Sequence, residues 1–515
     1  MALWFGARRH PEWRVLGLAL TGGAVAGFGQ APFGFWLLTL AALAGLIALA
    51  AREMPSAHRA WIGFAAGFGY ALVTMNWIVE PFFVEAEVYA WMAPFALVLM
   101  CAGMGVFWGL ALWLGGMSRA GRGSRAFGVA IGLAASDALR SYVFTGFPWV
   151  LLGHIWIDTP LAQAAALIGP IGLSLLTVLL AALPALFRAR PVSGGGAAAA
   201  LLAASGALWL QGQSALDAPL PESTDPAVIR IVQPNAAQHL KWQPDYAREF
   251  FYRHLDLTAA PPEAGKRPDL VIWPETAVPF LLDDSPRGLE VIAEAAGGVP
   301  VALGIQRAEG ARFFNSLAVI APDGTVSALY DKTHLVPFGE YIPFGDALSG
   351  VGISAFAAQA GNGYSSGSGE ALLDLGPLGR VVPLICYEAV FPQDIRAIAA
   401  RGDWLLQITN DAWFGDGAGP EQHLVQARFR AIEQGLPLMR SANTGISAAV
   451  DPRGRVTASL GMGAQGVIDV PLPVALPKTT YARLGDWPVI GLIVAILVFN
   501  SLFYSSLVDR RRFRH

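Results

Sequence analysis

Two kinds of hydrophobic pattern divide this chain. Residues 13–211 and 487–508 are apolar runs broken by short polar loops, whereas 215–482 mixes apolar and polar positions as a globular domain does. A bilayer-crossing helix needs roughly 20 apolar residues, or somewhat fewer where flanking groups snorkel. Candidate spans lie at 13–30, 35–51, 60–79, 90–115, 126–144, 162–187, 196–211 and 487–508. Within the globular stretch, β-rich runs predict strands at 227–233, 269–273, 299–305, 314–321, 326–331, 380–386, 403–409 and 445–450. Amphipathic periodicity predicts helices at 243–259, 287–297, 393–401 and 420–434. Asp323-Gly324 and Pro452-Arg453-Gly454 are turn signals that predict hairpins, and 361–370 reads as a flexible loop. This alternation indicates an α/β domain with sheet layered between helices. The expected organisation is about seven membrane helices in 1–212, a catalytic domain in 213–482, and a last membrane helix with a basic tail in 483–515.

Composition sharpens the membrane reading. Of 515 residues, 54% are hydrophobic and only 14% charged, against about 25% charged in soluble domains. A net charge of −3 and the lack of a basic, aromatic-interleaved patch exclude a nucleic-acid partner. The charges between spans alternate. Arg8, Arg9 and Arg14 precede the first span, Arg52 and Arg59 follow the second, and Arg119, Arg122 and Arg125 follow the fourth. Arg188 and Arg190 follow the sixth, and Arg510, Arg511, Arg512 and Arg514 follow the eighth. The intervening loops carry Glu80, Glu85 and Glu87 or no charge. The positive-inside rule then puts both termini in the cytoplasm and the globular domain on the far side. Arg8-Arg9, the run after them and Ala24-Val25-Ala26 also fit a cleaved signal peptide, which would leave seven spans and the same orientation. Gly29-Gln30-Ala31-Pro32-Phe33, followed at once by a second span, favours a retained helical hairpin.

Candidate chemistry gathers at predicted strand ends. Cys386 closes the run Val382-Pro383-Leu384-Ile385, and Pro392 opens a helix soon after. A thiol near a helix N-terminus is expected to favour its thiolate; otherwise it is a small buried hydrophobe. The other cysteine, Cys101, lies in an apolar stretch, so neither a disulfide nor a zinc site is expected. Pro274 halts strand pairing just where Glu275 emerges beside Trp273, a setting for a general base or for a solvated turn carboxylate. Lys332 is one of four lysines, with Lys241, Lys266 and Lys478, and sits between a strand and an apolar loop broken by Pro and Gly. Its ammonium could hold the negative charge of a tetrahedral intermediate or snorkel at the surface. His334 reads as a structural hydrogen-bonding group. Residues 407–415, with Asn410, Asp411 and Trp413, and residues 440–445, with Arg440 and Asn443, follow strands as polar clusters that line a pocket or cap loops. Phe338, Trp413 and Phe414 are tips that dip toward lipid or pack locally. Thiol, carboxylate and ammonium on separate strand ends make a complete acyl-transfer set.

Three segments carry a resemblance: Trp-Pro-Glu275-Thr, Lys332 followed by His-Leu-Val-Pro-Phe-Gly-Glu340-Tyr, and Ile-Cys386-Tyr-Glu388. They resemble the signature segments of the nitrilase superfamily. The polytopic frame, with Thr145-Gly-Phe-Pro-Trp149 and Asn443-Thr-Gly445, is similar to its membrane-integrated branch, the apolipoprotein N-acyltransferases. The resemblance implies an αββα sandwich on the periplasmic side of a bacterial inner membrane. It puts the catalytic glutamate, lysine and nucleophile on Glu275, Lys332 and Cys386, adds Glu340 and Glu388 as supporting glutamates, and places Trp242 on a mobile loop. Asp137 departs from the pattern, because relatives more often carry Glu there. The implied reaction is ping-pong, with a phospholipid, phosphatidylethanolamine, as donor and a diacylated apolipoprotein as acceptor. It implies no cofactor and no metal, a pocket opening laterally toward the outer leaflet, and a monomer. The alternative within the superfamily is a membrane-tethered amidase acting on a small amide. A transporter or receptor fits less well, since charges inside the spans are few.

Overall fold

Each apolar run is a helix: Trp13–Gly27, Trp36–Ala50, Ser56–Thr74, Ala93–Gly115, Arg122–Arg140, Ala165–Ala189, Pro191–Asp217 and Trp487–Arg512. The computed structural model describes residues 11–118, 121–189, 191–262, 265–343, 363–369, 371–398 and 400–512. It divides the chain into a helical unit, 1–218 with 483–515, and a second unit, Pro219–Ala482. Among the described residues, Ala86–Gly115 and Pro160–Ala189 are long and apolar enough to cross a bilayer. Ser56–Thr74 and Asn76–Val84, bent by 69°, would together make a third. Trp36–Ala50 has 15 residues, about 22 Å at 1.5 Å per residue, which falls short of a ~30 Å hydrocarbon core.

The helical unit is drawn together by small residues and buried polar anchors. Gly69 packs so tightly on the first helix that a Cβ there would stand 2.0 Å from the Leu20 carbonyl oxygen, the kind of close approach that glycine permits between membrane helices. Gln30, in the sharp turn after the first helix, donates to Tyr70 Oη at 2.7 Å and to the Leu151 carbonyl at 2.9 Å. Asp137 is buried and fully engaged: Oδ1 pairs with Arg140 at 3.1 Å, and Oδ2 accepts from the Leu152 N–H and the Ser174 hydroxyl.

The second unit is an αββα sandwich. One sheet comprises β1 (Val228–Gln233), β2 (Leu270–Ile272), β3 (Val301–Glu309), β4 (Arg312–Ile320), β5 (Val326–Asp331) and β12 (Gly466–Pro471), in the order β12-β1-β2-β3-β4-β5. The other comprises β6 (Leu373–Asp374), β7 (Arg380–Ile385), β8 (Trp404–Thr409), β9 (Leu438–Ala442), β10 (Ser447–Val450) and β11 (Val456–Leu460), in the order β11-β10-β9-β8-β7-β6. The central pairs β1–β2, β2–β3, β7–β8 and β8–β9 are parallel. Period-two alternation builds the layers. Ile229, Ile231, Leu406 and Ile408 face the core between the sheets. Val232 and Val271 pack under Leu255, Leu289 and Ile292 of helices Pro244–Ala259 and Pro286–Ala296. Leu405 packs with Ile395 of helix Pro392–Ala397 and with Leu424 and Ala427 of helix Ala418–Gln434.

Both predicted hairpins are present: Asp323-Gly324 joins β4 to β5 and Pro452-Arg453-Gly454 joins β10 to β11. Strands β6, β9, β11 and β12 had no counterpart in the sequence reading. β9 carries Arg440 and Ser441 in its buried interior, which breaks the apolar signature of a central strand. The predicted helix 393–401 stops at Ala397. Of the predicted 361–370 loop, 361–362 and 370 lie outside the described residues.

Candidate active site

Four strand ends meet at one end of the two sheets. β2 leads to Glu275, β5 to Lys332, β7 to Cys386 and β8 to Asn410. The Glu275 turn is pressed against β3, where Gly304 N donates to the Pro274 carbonyl at 3.1 Å and Ala277 N to the Gly304 carbonyl at 2.8 Å. A Cβ at Gly304 would stand 2.4 Å from Thr276 N, so the turn requires glycine there. Non-glycine residues with left-handed backbone gather at this end, among them Asn235 at φ 50°, Thr276 at φ 48° and Cys386 at φ 50°. Strain of this kind persists only where the surroundings over-determine it.

Glu275 is 5% exposed, and both of its oxygens are engaged. Oε1 accepts from Asn315 Nδ2 at 2.6 Å and lies 3.5 Å from Lys332 Nζ; Oε2 accepts from the Asn410 backbone N–H at 2.8 Å. Glu340 lies on the other side of the same ammonium. Its Oε1 is 2.9 Å from Lys332 Nζ and 3.1 Å from Asn315 Nδ2, and its Oε2 accepts from Val336 N at 2.8 Å. Lys332 is 1% exposed. Burial opposes its charge, but the carboxylates of Glu340 and Glu275 outweigh burial and hold the ammonium above the usual lysine value.

The thiol behaves differently from the sequence expectation. Burial pushes Cys386 well above the usual cysteine value, and the charges of Glu275 and Asp411 push the same way; Lys332 and the Thr409 hydroxyl only partly oppose them. Cys386 therefore rests as a thiol rather than a thiolate. The helical turn that begins at Cys386 is a five-residue 3₁₀ segment, Cys386–Val390, and so short a segment sums little dipole. Both cysteines are free and buried.

Glu388 ties the thiol strand to the lysine strand. Oε1 accepts from the Tyr330 hydroxyl at 2.7 Å, from Thr333 N at 2.7 Å and Oγ1 at 2.9 Å, and from His334 N at 3.2 Å. Oε2 accepts from Ile385 N, just before the thiol, at 2.8 Å. Burial raises its carboxyl, and these donors offset part of the rise. His334 is structural, bonded to Asp394 at 2.8 Å and stacked on Phe391 at 3.6 Å.

The residues predicted to line a pocket separate into two kinds. Asn443 and Asn410 belong to a chain of amides: Asn443 Nδ2 donates to Asn410 Oδ1 at 2.9 Å, and Asn410 Nδ2 donates to Gln238 Oε1 at 2.7 Å. That chain ends at Glu275 through the Asn410 N–H. Trp242 is half-buried, with its ring 5.4 Å from Lys241 Nζ. Trp413 is half-buried on the turn Asp411–Phe414, and among the described residues none of the hydrogen bonds around Glu275 and Lys332 reaches it. Phe414 packs edge-on to His423, whereas Phe338 is 55% exposed.

Three sets of contacts were not foreseen from the sequence. Asn315 bridges Glu275 and Glu340; its signal is an amide inside an apolar strand. Lys241, 5% exposed, donates to the Glu275 carbonyl at 3.3 Å and to Thr276 Oγ1 at 3.0 Å. Burial holds it down to about 8, with Glu275 opposing. Asp411, His423 and Arg440 form the third, behind Cys386.

The sandwich and its thiol, carboxylate and ammonium define a carbon–nitrogen hydrolase domain, and the carbon–nitrogen hydrolase family model matches residues 229–480. The model of the apolipoprotein N-acyltransferase N-terminal domain matches residues 22–183. The chain is 40% identical over 495 residues to an apolipoprotein N-acyltransferase of Sinorhizobium fredii, covering 90% of each chain. It is 37% identical over 530 residues to one of Rhizobium rhizogenes, covering 96% of this chain and 97% of that one. The chain belongs to the apolipoprotein N-acyltransferase family. Among solved structures, an amidase from Nesterenkonia sp. is 22% identical, with a TM-score of 0.37 over 48% of this chain and 93% of that one.

Proposed function

We propose that this membrane acyltransferase moves a fatty acyl chain from a phospholipid, phosphatidylethanolamine, through a thioester on Cys386 to the α-amino group of a diacylglyceryl-cysteine apolipoprotein. The observation that carries the mechanism is a single ammonium, Lys332, shared between Glu275 and Glu340 beside a resting thiol. Because the thiol is protonated, attack needs a base. Glu275 takes the S–H proton as sulfur adds to the ester carbonyl. The oxyanion forms against Lys332 and neighbouring backbone donors. Collapse breaks the acyl C–O bond, and Glu275 returns its proton to the departing lysophospholipid alkoxide. In the second half, the acceptor amine adds to the thioester, Glu275 takes an N–H proton, and collapse breaks C–S and re-forms the thiol. Glu340 keeps Lys332 charged and placed throughout, while Glu388 fixes the Ile385–Cys386 turn.

Both substrates have tails in a bilayer and reactive groups at its surface, which suits a globular unit joined to apolar helices. We place both termini in the cytoplasm, the catalytic unit on the periplasmic side of the inner membrane, and eight spans between them, on the alternation of arginine-bearing loops. Intact-protein mass spectrometry of detergent-purified enzyme with phosphatidylethanolamine alone tests the first half-reaction. A fatty-acyl increment on Cys386, labile to neutral hydroxylamine, absent in Cys386→Ala and discharged by a diacylated lipopeptide is expected. Turnover of a short amide without lipid, and no adduct with lipid, would favour the amidase instead.

A further inference from the structure

Behind the thiol lies a buried polar chain that the scheme above leaves unused. The Cys386 carbonyl oxygen is 3.0 Å from His423 Nε2 and 3.3 Å from Gln407 Nε2. His423 Nδ1 is 2.8 Å from Asp411 Oδ1, and Asp411 Oδ2 is bonded to Arg440. Gln407, Asp411, His423 and Arg440 are all 0% exposed. A cysteine, a histidine and an aspartate in one network suggest a thiol protease triad, but the geometry excludes it. The imidazole addresses the cysteine's carbonyl oxygen and not its sulfur.

The proton inventory shows what the network does. Asp411 stays ionised at about 2, because Arg440 and His423 outweigh burial. His423 is pulled below its usual value by burial and by Arg440, so it is neutral and carries one ring proton. The Cys386 carbonyl can only accept. With the proton on Nε2, His423 donates to that carbonyl, and Arg440, 3.4 Å from Nδ1, relieves the lone pair facing Asp411. With the proton on Nδ1, His423 donates to Asp411, Nε2 accepts from Gln407 Nε2 at 3.2 Å, and Gln407 also donates to the carbonyl. In either tautomer the Cys386 carbonyl keeps a donor.

We propose that His423, with its proton on Nε2, its Nδ1 beside Arg440 and Gln407 behind it, is a positioning residue that anchors the Cys386 carbonyl, holds the nucleophile's peptide in its left-handed conformation, and so sets where Sγ stands. The inference rests on the reading of Cys386 as nucleophile. A non-glycine residue at φ 50° relaxes toward the ordinary regions unless its carbonyl is anchored, and relaxation swings the thiol away from Glu275 and Lys332.

The test is thioester formation from phosphatidylethanolamine by the full-length enzyme, followed by intact mass over time, with thermal unfolding recorded for each variant. His423→Leu removes the nearer of the carbonyl's two donors and leaves only Gln407 at 3.3 Å, whereas His423→Gln keeps an amide N–H within reach. Displacing a reacting atom by about 1 Å costs on the order of 100-fold, so His423→Leu is expected to acylate about 100-fold more slowly than wild type. Half-saturation by lipid should stay within about 3-fold, and His423→Gln should recover to within about 10-fold. If the leucine variant is not recovered folded, His423→Asn, polar but too short to reach the carbonyl, decides the point with the same expected loss. Folded His423→Leu or His423→Asn at near wild-type rate would overturn the assignment. So would equal losses in the leucine and glutamine variants that only track unfolded protein. Failure of the wild type itself to form an adduct would instead overturn the nucleophile reading, and this inference with it.

Discussion

Glu340 Oε1 lies 2.9 Å from Lys332 Nζ, and this pair, rather than the thiol, carries the charge of the resting site. Glu275 shares the ammonium from 3.5 Å and keeps its second oxygen on the Asn410 N–H. One carboxylate can therefore remain the cation's partner while the other exchanges a proton.

The first prediction concerns the thiol. Burial, Glu275 and Asp411 raise Cys386, so its alkylation by iodoacetamide should be slow at pH 7–8 and climb above pH 9. Removing one of the charges that raise it, in Glu275→Gln, should shift that profile to lower pH while slowing acylation by roughly 100- to 10,000-fold, the usual worth of a general base. Alkylation rate against pH, read by mass, checks both. A fast, pH-independent reaction at neutrality would mean a resting thiolate.

Lys332→Met leaves two buried carboxylates with no cation between them. Breaking such an arrangement costs about 3–5 kcal/mol of stability, and losing an oxyanion donor costs about 100- to 1000-fold in rate. Denaturant unfolding and acylation rates are the measurements. Lys332→Arg should not restore the rate, because a planar fork cannot replace a compact ammonium between two fixed oxygens.

Glu388→Gln turns one acceptor oxygen into a donor facing N–H groups. An unsatisfied buried polar group of this kind costs about 1–3 kcal/mol. Since Ile385 N is one of the donors, acylation should slow as well, with half-saturation by lipid unchanged. A loss confined to lipid affinity would contradict this placement.

Lys241 supplies a pH signature of its own. Its folded value is depressed to about 8 from the ordinary 10.5, so the folded state binds fewer protons than the unfolded state between those values. Its contribution to stability is present above pH 10.5 and is lost as pH falls through about 8. Melting temperatures of wild type and Lys241→Met, measured from pH 7 to 10.5, should diverge in favour of wild type as pH rises. A constant difference across that window would rule out the buried ammonium.

Much of the site was legible because each key residue interrupts a pattern. Pro274 ends a strand at Glu275, Lys332 is one of four lysines, and Cys386 closes the β-rich run Arg380–Ile385. Glu340 and Glu388 came from the resemblance rather than from any pattern. Asn315 and His423 were not legible, and Asp411 and Arg440 were legible only as members of polar clusters, because each is explained by partners far along the chain. Arg440 in β9 looks like a fault in a strand until Asp411 arrives from the end of β8 to neutralise it. The thiolate expectation failed because a local dipole argument cannot weigh burial, which three-dimensional packing decides. The helices of the first unit were legible from apolar length. Their ends were less so, since Thr39 and Gln30 tie polar groups into the turn between the first two.

The antiparallel pairing of β1 with β12 sets Val228 opposite Pro471. The first and last strands of the sandwich are thus neighbours, about 4.8 Å apart. With its first and last strands side by side, the sandwich is suited to circular permutation: a short linker would join them and the chain could open at a surface turn such as Asp323-Gly324.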